Sequence, residues 1–172
     1  YNTNFWALDD KALSNNEFSN IVKESISVNS TAYLDYSDSA KIKTLGNPTE
    51  AALLLWLHTQ NVNYLDVRED VQVIEQLTFS TERKFMATLV TSPLLNKKVL
   101  YVKGAPEIVL SKCNQVVFSD GIKSVSESAS IIDELLTQYQ NQAMRTLGFA
   151  YEIIEDDDAR FEDGALVNAN LS

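Results

Sequence analysis

The apolar residues of this chain change their spacing partway along, and that change constrains the fold more than any other feature. In the first third they recur at helical intervals. Phe18, Ile21, Val22 and Ile26 follow Ser14 and Glu17, a capping-box spacing, and predict a helix over about residues 14–28. In the stretch GNPTEAALLLWLHTQ, Asn47 suits an N-cap, Pro48 the first helical position and Glu50 the third, so a second helix starts there. It is apolar nearly all round, which predicts burial on most faces and makes Trp56 a core residue. From Val71 the period becomes two. Val71, Val73 and Leu77 lead toward Phe79, then Phe85, Ala87 and Leu89 alternate, and Val99 to Lys103 makes a third run. The expected class is α/β (α+β): a mainly antiparallel β-sheet flanked by helices.

The third run continues as VLYVKGAPEIVLSKC. Gly104 permits a turn or a close approach of the backbone, Pro106 fits a first helical position and Glu107 suits the positive end of a helix. The reading is strand, exposed lysine, helix over about 106–112. Lys103 then either points at a bound anion or is an ordinary solvated strand-end lysine. A short strand near Val116 to Phe118 and a turn at Asp120-Gly121 follow. Ser124 with Glu127 caps a helix whose Ile132, Leu135, Leu136 and Tyr139 face inward. MRTLGFAYEII reads as a final strand, and Asp156 to Asp158 begins a polar tail, expected to be a solvated loop.

At 172 residues the chain is the length of one domain with a real core, and 45% hydrophobic composition is ordinary for a globular protein. A net charge of −10 argues against nucleic acid or an anionic membrane as partner, since both require clustered Lys and Arg. A nucleotide needs only a few local cations and stays open. No apolar run approaches a membrane span and no signal peptide opens the chain, so a soluble piece is expected. It begins Tyr-Asn-Thr without methionine, which suggests part of something longer. The one cysteine, Cys113, cannot form an internal disulfide and reads as small core filling in a reducing compartment. His58 has no second His or Cys for a metal site and reads as structural.

Five scattered glycines make no phosphate loop, and no nucleophile elbow or zinc spacing occurs, so a self-contained active site is not legible. Four segments nevertheless stand in a suggestive order: GNPTEAALL, FSTERKFM, YVKGAPEIVLSKC and MRTLGFA. Together they resemble the nucleotide-binding domain of P-type cation-transporting ATPases, most strongly the calcium pumps, over roughly residues 1 to 155. The resemblance implies that fold, a single cytoplasmic nucleotide-binding domain over 1–172 with the polar tail from about 156, and a place in an integral membrane pump. It implies ATP as ligand and magnesium in the parent enzyme but not on recognisable ligands here. It implies partnership with the pump's phosphorylation and actuator domains, with no nucleic acid and no direct membrane contact.

Carried over by residue, the resemblance implies that Phe79 stacks adenine, Lys103 and Lys84 are pocket lysines, Glu50 lies near the adenine amino group, and Arg145 reaches the phosphates. Gly104 belongs to the same site. Each also has a plain alternative: a core aromatic, a solvated lysine, a helix-capping glutamate, a helix-terminal arginine. Thr81 departs from the pattern where related pumps carry an arginine, leaving a phosphate contact absent or supplied by Arg83. If Phe79 and Lys84 share a pocket, residues 80–83 must turn rather than continue a strand. The family's Asp-Lys-Thr-Gly-Thr, Thr-Gly-Asp and Gly-Asp-Gly motifs do not occur in the sequence, so no catalytic residue is expected. Two other classes stay open: a free-standing nucleotide-dependent enzyme using Lys103 and Glu107, and a protein-interaction domain.

Overall fold

The computed structural model describes residues 16–38, 42–118, 121–156 and 158–172. The capping box of Ser14 with Glu17, Asp120 of the expected turn, and Asp157 lie outside what it describes. In chain order, α1 (Asn16–Val28) leads to the hairpin β1 (Tyr33–Asp35) and β2 (Lys43–Leu45), then α2 (Pro48–Thr59) and α3 (Tyr64–Asp70). Next come β3 (Gln72–Leu77), β4 (Phe85–Ser92), β5 (Lys97–Gly104), the short α4 (Pro106–Leu110) and a second hairpin, β6 (Gln115–Phe118) with β7 (Gly121–Ser124). The chain closes with α5 (Val125–Asn141), β8 (Gly148–Ile154) and a third hairpin, β9 (Phe161–Glu162) with β10 (Ala165–Leu166).

The period-two segments form one antiparallel sheet in the order β3-β4-β5-β8. Its interior strand β5 has Val99, Leu100, Tyr101 and Val102 all at 0% exposure, so both faces of the sheet are covered at that strand. Register sorts the faces. Met86, Lys103 and Phe149 form one row and Thr88, Tyr101 and Tyr151 the next, on the side of α1 and α2. Ala87, Val102 and Ala150 occupy the other face, packed with Val109 of α4 and with Leu171. Polar contacts join α1 to the sheet: the Tyr101 hydroxyl donates to Glu24 Oε1 at 2.7 Å, and Thr88 Oγ1 donates to Asn29 Oδ1 at 2.8 Å. Both pairs are buried and partnered, as buried polar groups must be.

Several expectations change. β3 is an edge strand that ends at Leu77, with a register shift between Val73 and Glu75, so the alternation does not run through to Phe79. Val73 and Ile74 are both exposed, because this bulged edge strand is left uncovered from Gln72 to Gln76. The helix after Gly104 ends at Leu110 rather than 112. Nor is the tail beyond the acidic residues a solvated loop. β9 and β10 pair, Leu171 is fully buried, and the Ser172 amide donates to the Tyr151 carbonyl at 3.0 Å. Asp156 and Asp158 are themselves exposed, but Arg160 just beyond them is buried, paired with Glu152 and with Asp156. The Ser124–Glu127 capping box is present, with Ile132 of α5 buried. Cys113 is half-buried and burial pushes its thiol up to about 11, which keeps it a neutral packing group. His58 is exposed, 5.7 Å from the Tyr36 ring between centroids. Among the described residues no helix is long and apolar enough to cross a membrane.

Candidate functional site

All six candidate residues fall at one end of the sheet. Phe79 follows the end of β3, Lys84 precedes β4, Lys103 and Gly104 close β5, and Arg145 precedes β8. Register puts Phe85, Gly104 and Gly148 abreast there, and Glu50 reaches the same end from the start of α2.

The loop from 78 to 84 is built by its own polar groups. The Lys84 amide donates to the Ser80 carbonyl at 2.8 Å and the Arg83 amide to Ser80 Oγ at 3.1 Å, closing a turn over 81–83. This is the turn that a shared pocket for Phe79 and Lys84 requires. Lys84 ends it at φ 60°, a left-handed conformation a lysine adopts reluctantly. Its carbonyl then accepts from the Ala105 amide at 2.9 Å, drawing the loop against the end of β5. A Cβ at Gly104 would stand 2.3 Å from that carbonyl oxygen and 2.7 Å from the Phe85 Cα, so only glycine fits. The close backbone approach expected of Gly104 is therefore to the Lys84–Phe85 segment. The Phe79 ring, 52% exposed, is no core aromatic. Arg83 Nη2 donates to the Thr78 carbonyl at 2.7 Å, which ties this guanidinium to its own loop.

Lys103 corrects the sequence reading: it is not exposed. Its residue exposure is 5%, because α2 lies over the row it shares with Met86 and Phe149. Its Nζ stands 2.8 Å from Glu50 Oε1, close but poorly aligned for a hydrogen bond, and meets no other acceptor among the described residues. Burial lowers the lysine below its ordinary value, Glu50 opposes that shift, and the nearby positive charge of Arg68 adds to it. Glu50 is pushed up by burial, but Lys103 and the donors of Thr31 outweigh this and hold the carboxylate below its usual range. Asn47 caps α2, its Oδ1 accepting from the amides of Thr49 and Glu50 at 2.9 and 3.4 Å. The Glu50 side chain turns inward instead of completing a capping box. Its Oε2 accepts from the Thr31 amide at 2.8 Å, Thr31 Oγ1 at 2.9 Å and Ser30 Oγ at 3.3 Å.

Arg145, exposed and beyond the end of α5, donates from Nη1 to Thr49 Oγ1 at 3.0 Å. Glu50 and Lys103 thus meet directly, Lys84 and Gly104 meet through the backbone, and Arg145 joins through Thr49. Phe79 shares the sheet end without a described contact to the others. Sequence reasoning missed Thr31 and Ser30, which carry no motif, Thr49, which lies within GNPTEAALL but was given no role, and Arg68. The Arg68 guanidinium lies 4.9 Å from the Tyr33 ring and 4.7 Å from the Tyr64 ring, and donates to the carbonyls of Ser27, Ser30 and Ala32. Among the described residues no three His, Cys, Asp or Glu side chains group closely enough to hold a metal ion. A cleft of about 310 Å³ between α4 and the C-terminal segment, lined by Ser111, Lys112, Asn114, Leu166, Asn168 and Ala169, includes none of the six candidates.

Known proteins match along most of the chain. A calcium-transporting ATPase of Dictyostelium discoideum is 31% identical over 144 residues, covering 83% of this chain but 13% of the relative. One of Cryptococcus neoformans is 32% identical over 146 residues, covering 78% of this chain and 10% of the relative. One of Saccharomyces cerevisiae is 36% identical over 115 residues, 65% of this chain and 12% of its own length. The chain therefore spans only a small part of the relatives it matches. The family described as P-type ATPase, cytoplasmic domain N, matches residues 17–171, a span that takes in the docked C-terminal segment as well as the sheet. With that match and the antiparallel sheet between helices, the chain belongs to the cytoplasmic N domains of P-type ATPases.

Proposed function

We propose that this domain holds ATP at the Phe79–Lys103 end of its sheet and presents it for phosphoryl transfer to an aspartate carried elsewhere in the parent protein. The observation that carries the reading is the gathering of an exposed aromatic ring, two lysines and an arginine from separate segments at one sheet end. An exposed ring offers a face for a base, worth roughly 1–3 kcal/mol, and exposed cations offer weak contacts to phosphates. In this reading adenine stacks on Phe79 near Lys103 and Glu50, while Lys84 and Arg145 attend the phosphates. The names of the relatives support calcium as the ion that the parent pump moves. Magnesium belongs in this reading to the parent enzyme, entering with the phosphates of the nucleotide. The domain binds and orients; the phosphorylation and actuator domains of the pump are its partners in turnover.

Titrating ATP into the 172-residue chain, followed by amide shifts and calorimetry, tests this. A dissociation constant of about 1 mM is expected, about 4 kcal/mol of binding, with ADP and AMP within about tenfold. Phe79→Ala should weaken all three alike while leaving the fold stable, since the ring is exposed. No shift around Phe79 and Lys103 at saturating ATP would leave a protein-interaction role as the better account.

A further inference from the structure

We propose that Thr31 is a positioning residue for base selection, holding Oε2 of Glu50 from two sides so that Oε1 is the oxygen presented to a nucleotide base. The inference rests on the nucleotide reading above and extends it to a residue on a different segment, just beyond α1. Thr31 is exposed as a residue, yet its hydroxyl turns inward to Oε2 at 2.9 Å while its amide reaches the same oxygen at 2.8 Å. Ser30 Oγ is a more distant third donor, at 3.3 Å. A carboxylate oxygen accepts about two hydrogen bonds well, so Oε2 is saturated. Among the described residues Oε1 meets the Lys103 ammonium, at 2.8 Å, and retains acceptor capacity. With Oε2 pinned, the carboxylate cannot rotate to exchange its oxygens.

The chemical consequence is selection at one position of a purine. A carboxylate oxygen only accepts, so it favours the exocyclic amine of adenine and opposes the carbonyl that guanine and hypoxanthine carry at the same position. A buried acceptor facing an acceptor loses a hydrogen bond without compensation, the situation in which discrimination is strongest. Thr31 touches no ligand in this scheme; it acts by fixing the orientation of Glu50.

The test compares dissociation constants of ATP and inosine triphosphate for the chain and for Thr31→Val, Thr31→Ala and Thr31→Ser. The natural chain should prefer ATP by about tenfold. Thr31→Val and Thr31→Ala keep the amide bond and lose the hydroxyl, and each should reduce that preference about threefold or more, by weakening ATP and sparing inosine triphosphate. Thr31→Ser should retain it. A merely structural role would lower the melting temperature and weaken both nucleotides equally; an unchanged ratio in valine and alanine variants that still fold overturns the inference. Equal binding of both nucleotides by the natural chain overturns it too, while leaving nucleotide binding itself intact. Binding of neither overturns the nucleotide reading and the inference together.

Discussion

Two ion pairs are buried on opposite faces of the same sheet, and they are built differently. On the α4 side Arg160 uses every donor it has: Nε and Nη2 to the Glu152 carboxylate, Nη1 and Nη2 to Asp156, and Nη1 to the Asp158 carbonyl, at 2.7 to 3.3 Å. Hydrogen bonds to Glu152 and Asp156 raise its pKa still further above the ordinary guanidinium value. On the α1 and α2 side Lys103 meets one oxygen of Glu50, and burial lowers its pKa. A satisfied forked network fixes structure; an under-satisfied buried ammonium is a group that a ligand can complete. The comparison separates a clasp for the C-terminal segment from a site, although both are a buried cation beside a buried glutamate.

The largest effect that can break the comparison is Arg160→Met. It leaves Glu152 buried with the Asn170 amide, 2.9 Å away, as its remaining described donor, and it releases the segment that seats Leu171. Removing one partner of a buried pair costs about 3–5 kcal/mol, read by urea unfolding, and the folded fraction should bind ATP as before. A variant as stable as the natural chain would mean that the clasp contributes nothing.

Lys103→Met should be milder in stability and harsher in binding. Glu50 keeps its Thr31 and Ser30 donors, so the expected loss is about 1–3 kcal/mol, with ATP affinity falling as well. An exposed strand-end lysine would contribute little to the core; the burial of Lys103 is what makes a loss expected. If Lys103→Met proves more destabilising than Arg160→Met, or spares ATP binding, the assignment of clasp and site is reversed.

That misplacement of Lys103 shows what was legible and what was not. Local signals read correctly: the Asn47 and Pro48 start of α2, the Ser124 box of α5, and the strand-glycine-proline step at Gly104 depend on neighbouring residues. Burial of Lys103 depends on α2 folding over it, a contact between distant segments that the period of β5 cannot reveal. The tail misled for the same reason. Asp156 and Asp158 are exposed as they look, but the sequence does not show that Arg160 folds back to Glu152 and seats the segment that follows. Phe79 was ambiguous between core and surface because alternation is informative only inside a strand, and β3 stops at Leu77. Lys103 stood out at its strand end from local pattern alone, the set of six was assembled through a family resemblance, and Thr31 became visible only in the folded chain.

Acid reaches both pairs through their carboxylates, Glu50 in the site and Asp156 in the clasp, where hydrogen bonding from Arg160 holds it below its usual range, so Glu50→Gln is the variant that isolates the site. Burial raises Glu50, but its cation and donors leave its folded pKa below the model-peptide 4.5, so it stabilises the fold above that value. This contribution should fade as pH falls through the folded value. Lys103 has the opposite kind of shift for its charge: its lowered folded value means stability grows as pH rises toward 10.5. Urea unfolding between about pH 3 and 5 should therefore fall more steeply for the natural chain than for Glu50→Gln. Parallel curves would show that the pair gives no net stabilisation to the carboxylate form.

The smallest effects come from Lys84, where stability and binding should move in opposite directions. At φ 60° a lysine pays for a conformation that glycine adopts freely, and the turn needs only its backbone: the amide to Ser80 and the carbonyl to Ala105. Its side chain is exposed, so nothing in the core depends on it. Lys84→Gly should keep both backbone bonds and relieve strain, offset in part by the added freedom of the unfolded chain, for a net gain of less than about 1 kcal/mol. The same change removes one exposed cation from the sheet end where phosphates are proposed to lie, and should weaken ATP by about 0.2–1 kcal/mol. AMP, with fewer phosphate charges, should weaken less. Lys84→Ala is the control, since it removes the cation and keeps the strain: it should match the glycine variant in ATP affinity and fall below it in stability. Loss of ATP affinity in the glycine variant alone would show that the backbone of the loop, and not the ammonium, serves the nucleotide.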